Sequence, residues 1–279
     1  MKTLIVPFLF FLLPMGLFGH GIIHEKIEKI TTEIEASTDV LHDWGKLAPL
    51  YFERGKLYFL QGNCPSALMD FIHAELHGYS DKELQYRLAE VYHKMETNHK
   101  ALEYANEFIS LDPDNPMGYR MRSSIYISLN RYNEVLQDFE VLFACKSKPN
   151  ANDYKALADY ILKQDSDGYK LALRYLQQGY ERLGNSQFLE YKILEMKKLA
   201  KKFEETLYAY DKMIKKYKRK EVILYEKANY LFSLKKYDQS YRTLLESKEF
   251  FSQLTKRQQS SNAMGNLRFK IASLENKLQ

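Results

Sequence analysis

Ala48–Ala74 reads APLYFERGKLYFLQGNCPSALMDFIHA, and its residue types return down the chain at a fixed step. Gly55, Tyr58, Ala67, Phe71 and Ala74 stand at the recurring offsets. Stepping 34 residues from Tyr58 reaches Tyr92, then Tyr126, then Tyr160. The same step from Gly55 reaches Ala89 and Ser123, both small, and then Leu157. A fixed period of this length marks a repeated supersecondary unit, which buries its apolar face against its neighbours.

Composition agrees with a packed array. The chain has 279 residues, 45% hydrophobic and 28% charged, and only 12 Gly and 7 Pro, so no long linker is expected. A repeat array of this length counts as one continuous unit. The formal charge is +5, and without residues 1–19, which hold only Lys2, 40 basic residues face 36 acidic ones. That balance is too mild to imply nucleic acid as a partner. The two cysteines, Cys64 and Cys145, fall in the first and third repeats. Helices are about 10 Å across, so these thiols are expected to lie too far apart to bridge.

Taken in order, the chain divides into four. Residues 1–19, MKTLIVPFLFFLLPMGLFG, have a basic start, a short apolar run and small residues after it, the form of a signal peptide. The alternative is an uncleaved membrane anchor. Residues 20–46 hold Ile22, Ile23, Ile27, Ile30 and Ile34 at helical spacing, which predicts an N-terminal capping helix followed by a polar connector from Ser37 to Lys46. Residues 47–250 carry the repeats. Asn63 with Pro65, and Asn115 with Pro116, mark helix starts, and Ser80 with Glu83 predicts a capping box. The fourth repeat is three residues longer, with the excess at Gln164–Gly168. Residues 251–279 predict a C-terminal capping helix from about Leu254 to Lys277, polar on one side.

Small, Tyr, Ala and Phe residues at these offsets resemble the tetratricopeptide-repeat (TPR) pattern over roughly residues 48–248. The match is strong in the first three repeats. It is degenerate in the fifth, where Leu194 and Lys197 replace the small residue and the tyrosine, and in the sixth, with Leu231 and Ser240. The resemblance implies an all-α, right-handed superhelix of about six antiparallel helix pairs between capping helices. It further implies a protein or peptide partner held in an inner groove, lined by the first helix of each pair. The fifth positions carried over are Phe52, Tyr86, Arg120, Tyr154, Tyr191 and Tyr225. The twelfth positions are Phe59, His93, Ile127, Ile161, Lys198 and Phe232. The Lys and Asn clamp with which some TPR domains hold a terminal carboxylate is absent at these positions.

Other chemistry is thin. There is no phosphate-binding glycine loop, G-x-S-x-G or H-E-x-x-H motif, so a non-enzymatic chain without a cofactor is expected. His20 and His24, and His73 and His77, are each four apart and share a helix face. Of these, the His20 and His24 pair is the candidate metal site if the chain handles metal at its N-terminus, though no metal is expected. Residues 197–220 hold ten basic and three acidic side chains, read as a solvated helix face. The functional expectation is an exported scaffold, periplasmic or secreted. The alternatives are a metal-handling protein using the N-terminal histidines, or an envelope assembly factor held at the membrane by an uncleaved anchor.

Overall fold

The computed structural model describes residues 16–40, 44–145, 149–165 and 168–279. Every regular element among them is a helix. Six helix pairs follow the repeat register: α2 (Trp44–Leu60) with α3 (Cys64–Leu76), α4 (Glu83–Lys94) with α5 (Asn98–Leu111), and α6 (Pro116–Ser128) with α7 (Tyr132–Ala144). The series continues with α8 (Ala151–Gln164) and α9 (Tyr169–Arg182), α10 (Gln187–Leu199) and α11 (Phe203–Lys216), and α12 (Glu221–Ser233) and α13 (Tyr237–Ser252). Helix α1 (Gly16–Val40) precedes them, and α14 (Lys256–Gln259) and α15 (Asn262–Leu278) follow. The degenerate fifth and sixth repeats thus form the same hairpins. The signal-like segment lies outside the described residues up to Gly16, where α1 begins. Among the described residues no helix is long and apolar enough to cross a membrane.

The chain divides into two compact units, one ending at Asp153 and the other beginning at Tyr154. In the first, Phe52, Ala67, Phe71, Ala74, Leu84 and Leu88 form a core shared by α2, α3 and α4. The next core layer joins Ala89, Ala101, Ala105, Met121 and Ile125 from α4, α5 and α6. In the second unit Leu194, Tyr210, Met213 and Ile223 repeat that arrangement, and the last layer sets Tyr225, Ala228 and Leu244 against Leu267, Ile271 and Leu274 of α15. In each of these layers a hairpin buries one face against the helix that follows it, the nearest-neighbour packing of a solenoid.

One turn recurs where the first helix of a pair ends. Gly62, Glu96, Asn130, Lys201 and Lys235 all take positive φ, between 53° and 78°. The next residue donates its backbone N–H to a carbonyl five residues back: Asn63 to Tyr58, Thr97 to Tyr92, Arg131 to Tyr126, Lys202 to Lys197 and Lys236 to Leu231, all at 2.9–3.0 Å. The left-handed residue itself bonds three back, which completes a Schellman motif. The donor is also the N-cap of the second helix. Helix end and helix start are thus one compact turn, and it holds these five pairs antiparallel.

Several expectations shift. Helix α2 starts at Trp44, four residues before the expected start, with Pro49 inside it, so the connector from Ser37 to Lys46 shortens to the gap after Val40. Asn63 and Asn115 cap their helices as expected, accepting from Ser66 N and Met117 N at 3.3 and 3.1 Å. The expected Ser80 and Glu83 capping box does not form. Asp81 Oδ1 accepts from Glu83 N at 2.8 Å instead, because the carboxylate sits one residue nearer the first free N–H groups. The single C-terminal helix is broken into α14 and α15: Thr255 with Gln258 closes a capping box on the short one, and the Ser261 hydroxyl at the start of α15 donates back to the Gln258 carbonyl at 2.9 Å. Cys64 and Cys145 form no disulfide.

Of the helix α1 stripe, Ile27 and Ile34 are buried and Ile22 is exposed. Thr31 on that helix accepts from Arg54 Nη1 at 3.0 Å, while Arg54 donates two further bonds to Asp70 at 2.8 Å. Arg122 repeats this at the same register, with Asp138 of its own hairpin and Asn106 of the preceding one. Lys227, at that register again, bonds Asp211 of the preceding hairpin at 2.5 Å. A half-buried cation at this register is thus a recurring device, which the apolar pattern did not reveal.

Candidate functional site

The site rests on how α4 and α6 present one face. Residues four and seven apart on a helix share that face, so the fifth, ninth and twelfth positions of a repeat form one row. Tyr86, Glu90 and His93 of α4, with Arg120, Ser124 and Ser128 of α6, line a cleft of about 490 Å³. The structure therefore brings together three of the predicted residues, Tyr86, His93 and Arg120, in the first unit.

Tyr86 is half-buried, with its ring 5.4 Å from that of Phe108 and the Arg87 guanidinium 5.6 Å from its centroid. Burial, reinforced by Glu90, pushes the Tyr86 phenol up, so it stays protonated and can donate. His93 bridges the two helices. Its Nδ1 faces Asn98 Oδ1 at 3.0 Å, so Nδ1 donates, and Nε2, 3.1 Å from Ser124 Oγ, accepts from that hydroxyl. Glu90 accepts from Arg87 at 3.0 Å. Arg120 turns its fork to Asp153, donating from Nε and Nη2 at 2.6 and 2.7 Å. Those hydrogen bonds to Asp153 outweigh burial and hold the guanidinium firmly charged.

The other predicted positions separate from this row. Phe52 is 1% exposed, its ring stacked 4.4 Å from Tyr79 and tilted against Phe71, so it is a core residue. Phe59 is half-buried against that same core. Tyr154 is fully buried because Gly179 lets α9 come close: a Cβ there would stand 2.5 Å from the Tyr154 ring. Tyr225 is covered by α15. The expected aromatic ladder of fifth positions is therefore not one open surface. Tyr191 is half-buried, and burial with the nearby Glu226 carboxylate pushes its phenol up to about 12. Ile161 is buried, and Lys198 lies over the Tyr210 and Tyr230 rings at 5.0 and 5.6 Å, with burial lowering its ammonium.

The packing tyrosines three residues after the small position behave differently from one another. Tyr160 is buried, whereas Tyr58, Tyr92 and Tyr126 are half-buried. Tyr92 stacks on Tyr104 at 5.6 Å, and Tyr126 lies under Arg131 at 4.8 Å. Glu90 and Ser124, the ninth positions, also line the cleft, where the repeat register places them. Asp153 had no sequence signal, being 33 residues from Arg120.

Metal and phosphate chemistry finds little purchase. Among the described residues no three His, Cys, Asp or Glu side chains converge on a metal position. His24 pairs with Glu28 at 3.3 Å, and the side chain of His20 lies outside the described ones. His73 and His77 stack with Tyr51, with ring centroids 4.9–6.1 Å apart. The basic run is partly neutralised, Lys216 by Glu190 at 2.8 Å, Arg219 by Glu221 at 2.5 Å and Lys197 by Glu205 at 3.7 Å.

No protein-family model matches the sequence, and no curated protein matches it. Solved structures do. A tetratricopeptide repeat protein from Parabacteroides merdae ATCC 43184 is similar over 92% of this chain and 95% of its own, with 13% identity and a TM-score of 0.52. PilF of Pseudomonas aeruginosa is similar over 76% of this chain and 95% of its own, with 15% identity and a TM-score of 0.51. At such identities the likeness speaks for the fold. Together with the six helix pairs and their repeated Schellman turns, it shows that this chain has the all-α fold of the tetratricopeptide-repeat proteins.

Proposed function

We propose that this chain is a non-enzymatic protein-interaction scaffold that holds an extended segment or a helix of a partner protein in the α4–α6 cleft. The observation that carries this reading is the convergence of Tyr86, His93 and Arg120 from two successive repeats on one cleft of about 490 Å³. Tyrosine offers a large rigid contact area with a polar tip at low entropy cost, which suits a binding hot spot. The His93 hydrogen bond to Ser124 ties α4 to α6, while its bond to Asn98 of α5 fixes the ring, so the cleft is preformed. The signal-like composition of residues 1–19 supports export of the scaffold, and an intact mass lacking those residues tests that part.

The binding test is site-specific. A photo-crosslinking residue at Ser128, in the cleft, should capture a partner that the same residue at Ser66, outside it, does not. Tyr86→Ala with His93→Ala should then weaken that partner by at least tenfold while the helical circular dichroism stays unchanged. Equal capture from both positions, or unchanged affinity in the folded double variant, would place binding elsewhere.

A further inference from the structure

Two of the four charges lining the cleft are already paired within the chain. The lining holds two basic residues, Lys94 and Arg120, and two acidic ones, Glu90 and Glu96. Glu90 is bonded to Arg87. Arg120, the group best suited to grip a carboxylate through two parallel hydrogen bonds, is gripped by Asp153. The Asp153 side chain is only 7% exposed, against 31% for Arg120. Its Oδ2 also accepts from the backbone N–H of Asn150 at 2.7 Å, so the carboxylate is itself anchored. A partner carboxylate at Arg120 would have to displace a fixed, buried, bidentate one.

We propose that Asp153 is the specificity determinant of the cleft: it stands where a ligand carboxylate would bind, masks Arg120, and restricts the cleft to uncharged segments rich in apolar and aromatic side chains. This deepens the scaffold reading and rests on it. What remains to meet a ligand is the Tyr86 ring and hydroxyl, the Ser128 hydroxyl, and the exposed Lys94 and Glu96, whose opposite charges offset each other. Those groups reward shape and hydrogen bonding and offer no net charge. Removing the Asp153 charge while keeping its shape leaves the Arg120 fork with no carboxylate, and the same cleft then favours acidic segments.

The test uses the full chain and a displayed library of random 12-residue peptides. Selection on the unaltered chain should enrich peptides of near-zero net charge, with affinities changing less than twofold between 0.05 and 0.5 M salt. Selection on Asp153→Asn should enrich acidic peptides, at least tenfold tighter on that variant than on the unaltered chain and weakening steeply with salt. Asp153→Asn with Arg120→Gln should lose the acidic preference, and circular dichroism on each variant checks folding. Acidic peptides dominating on the unaltered chain, or no shift in Asp153→Asn, would overturn the masking role. An Asp153→Asn chain that does not fold would move the masking test to Arg120→Gln alone: because a masked Arg120 contributes no charge to ligand, its neutral peptides must bind within about threefold of the unaltered chain, and a larger loss overturns masking. Enriched peptides that bind Tyr86→Ala with His93→Ala undiminished would instead overturn the cleft as the site, a separate failure.

Discussion

Replacing Arg122 by Leu should destabilise the protein by about 3–4 kcal/mol near pH 7, and most of that loss should vanish near pH 4.5. The Asp138 side chain is 4% exposed and takes hydrogen bonds from Arg122 Nε and Nη2 at 2.6–3.2 Å. Stripping one partner from a buried ion pair costs about 3–5 kcal/mol, because the other charge stays buried. The carboxylate has one escape, which is to take up a proton. From an unfolded value of about 3.9, protonation at pH 7 costs about 3 units of 1.36 kcal/mol, so the loss is capped near 4 kcal/mol. At pH 4.5 the same cap falls below about 1 kcal/mol. The direction is consistent with the unaltered protein, where burial already pushes the Asp138 carboxyl up despite Arg122, and the Asp138 hydrogen bonds raise Arg122 against its own burial. A carboxyl whose folded value is raised contributes stability below its unfolded value and loses it as pH rises through the folded one. The second repeat shows the alternative, with Leu88 and Tyr104 at the registers of Arg122 and Asp138. Arg122→Leu with Asp138→Tyr copies that pair and should recover stability to within about 2 kcal/mol of the unaltered chain, since apolar replacement of a buried pair is often near neutral. Urea unfolding followed by helical circular dichroism at pH 7 and 4.5 reads all of this. A single-variant loss that does not shrink toward pH 4.5, or a double variant as unstable as the single one, would refute the reasoning.

Other expectations are more compact. Glu96→Gly, Lys201→Gly and Lys235→Gly should each raise the unfolding free energy, by about 0.5–1 kcal/mol, because these side chains sit at φ 53–60° where glycine is at ease. Gly62→Ala, at φ 78°, should lower it by a similar amount, and a reversal in either set would show that the turns relax. Gly179→Ala should cost about 1–3 kcal/mol by overpacking against the Tyr154 ring, and Tyr154→Leu in the same chain should relieve part of that cost; additive losses would count against the close approach. Tyr191 should titrate near 12, so an ultraviolet phenolate titration of Tyr191→Phe should lack one group there. Its raised value favours the neutral folded form, so this residue's share of stability should fall as pH rises from about 10 toward 12, a trend the Phe variant should lose.

What the sequence by itself determined is the helix-pair architecture. Buried positions such as Gly55, Ala67, Phe71 and Ala74 must recur at one step if every hairpin is to cover its neighbour, so the packing writes its period into the chain. Caps at Asn63 and Asn115 were legible for the same local reason: their side chains satisfy N–H groups two or three residues away. Residue type favours the left-handed turn at Gly62 and Asn130. At Glu96, Lys201 and Lys235 the surrounding hydrogen bonds impose a conformation that the residue type does not announce. Which of the fifth positions face a ligand was decided by tertiary structure alone. Tyr86 and Tyr154 are the same residue type at the same register, yet one lines the cleft and the other is sealed by the bare backbone at Gly179. Phe52 is closed off by Tyr79 from a loop, and Tyr225 by α15 beyond the last repeat. Arg120 likewise reads as an open cation until Asp153 folds onto it from 33 residues away. A periodic sequence fixes which residues repeat, and only the folded neighbours fix which of the repeated ones remain uncovered.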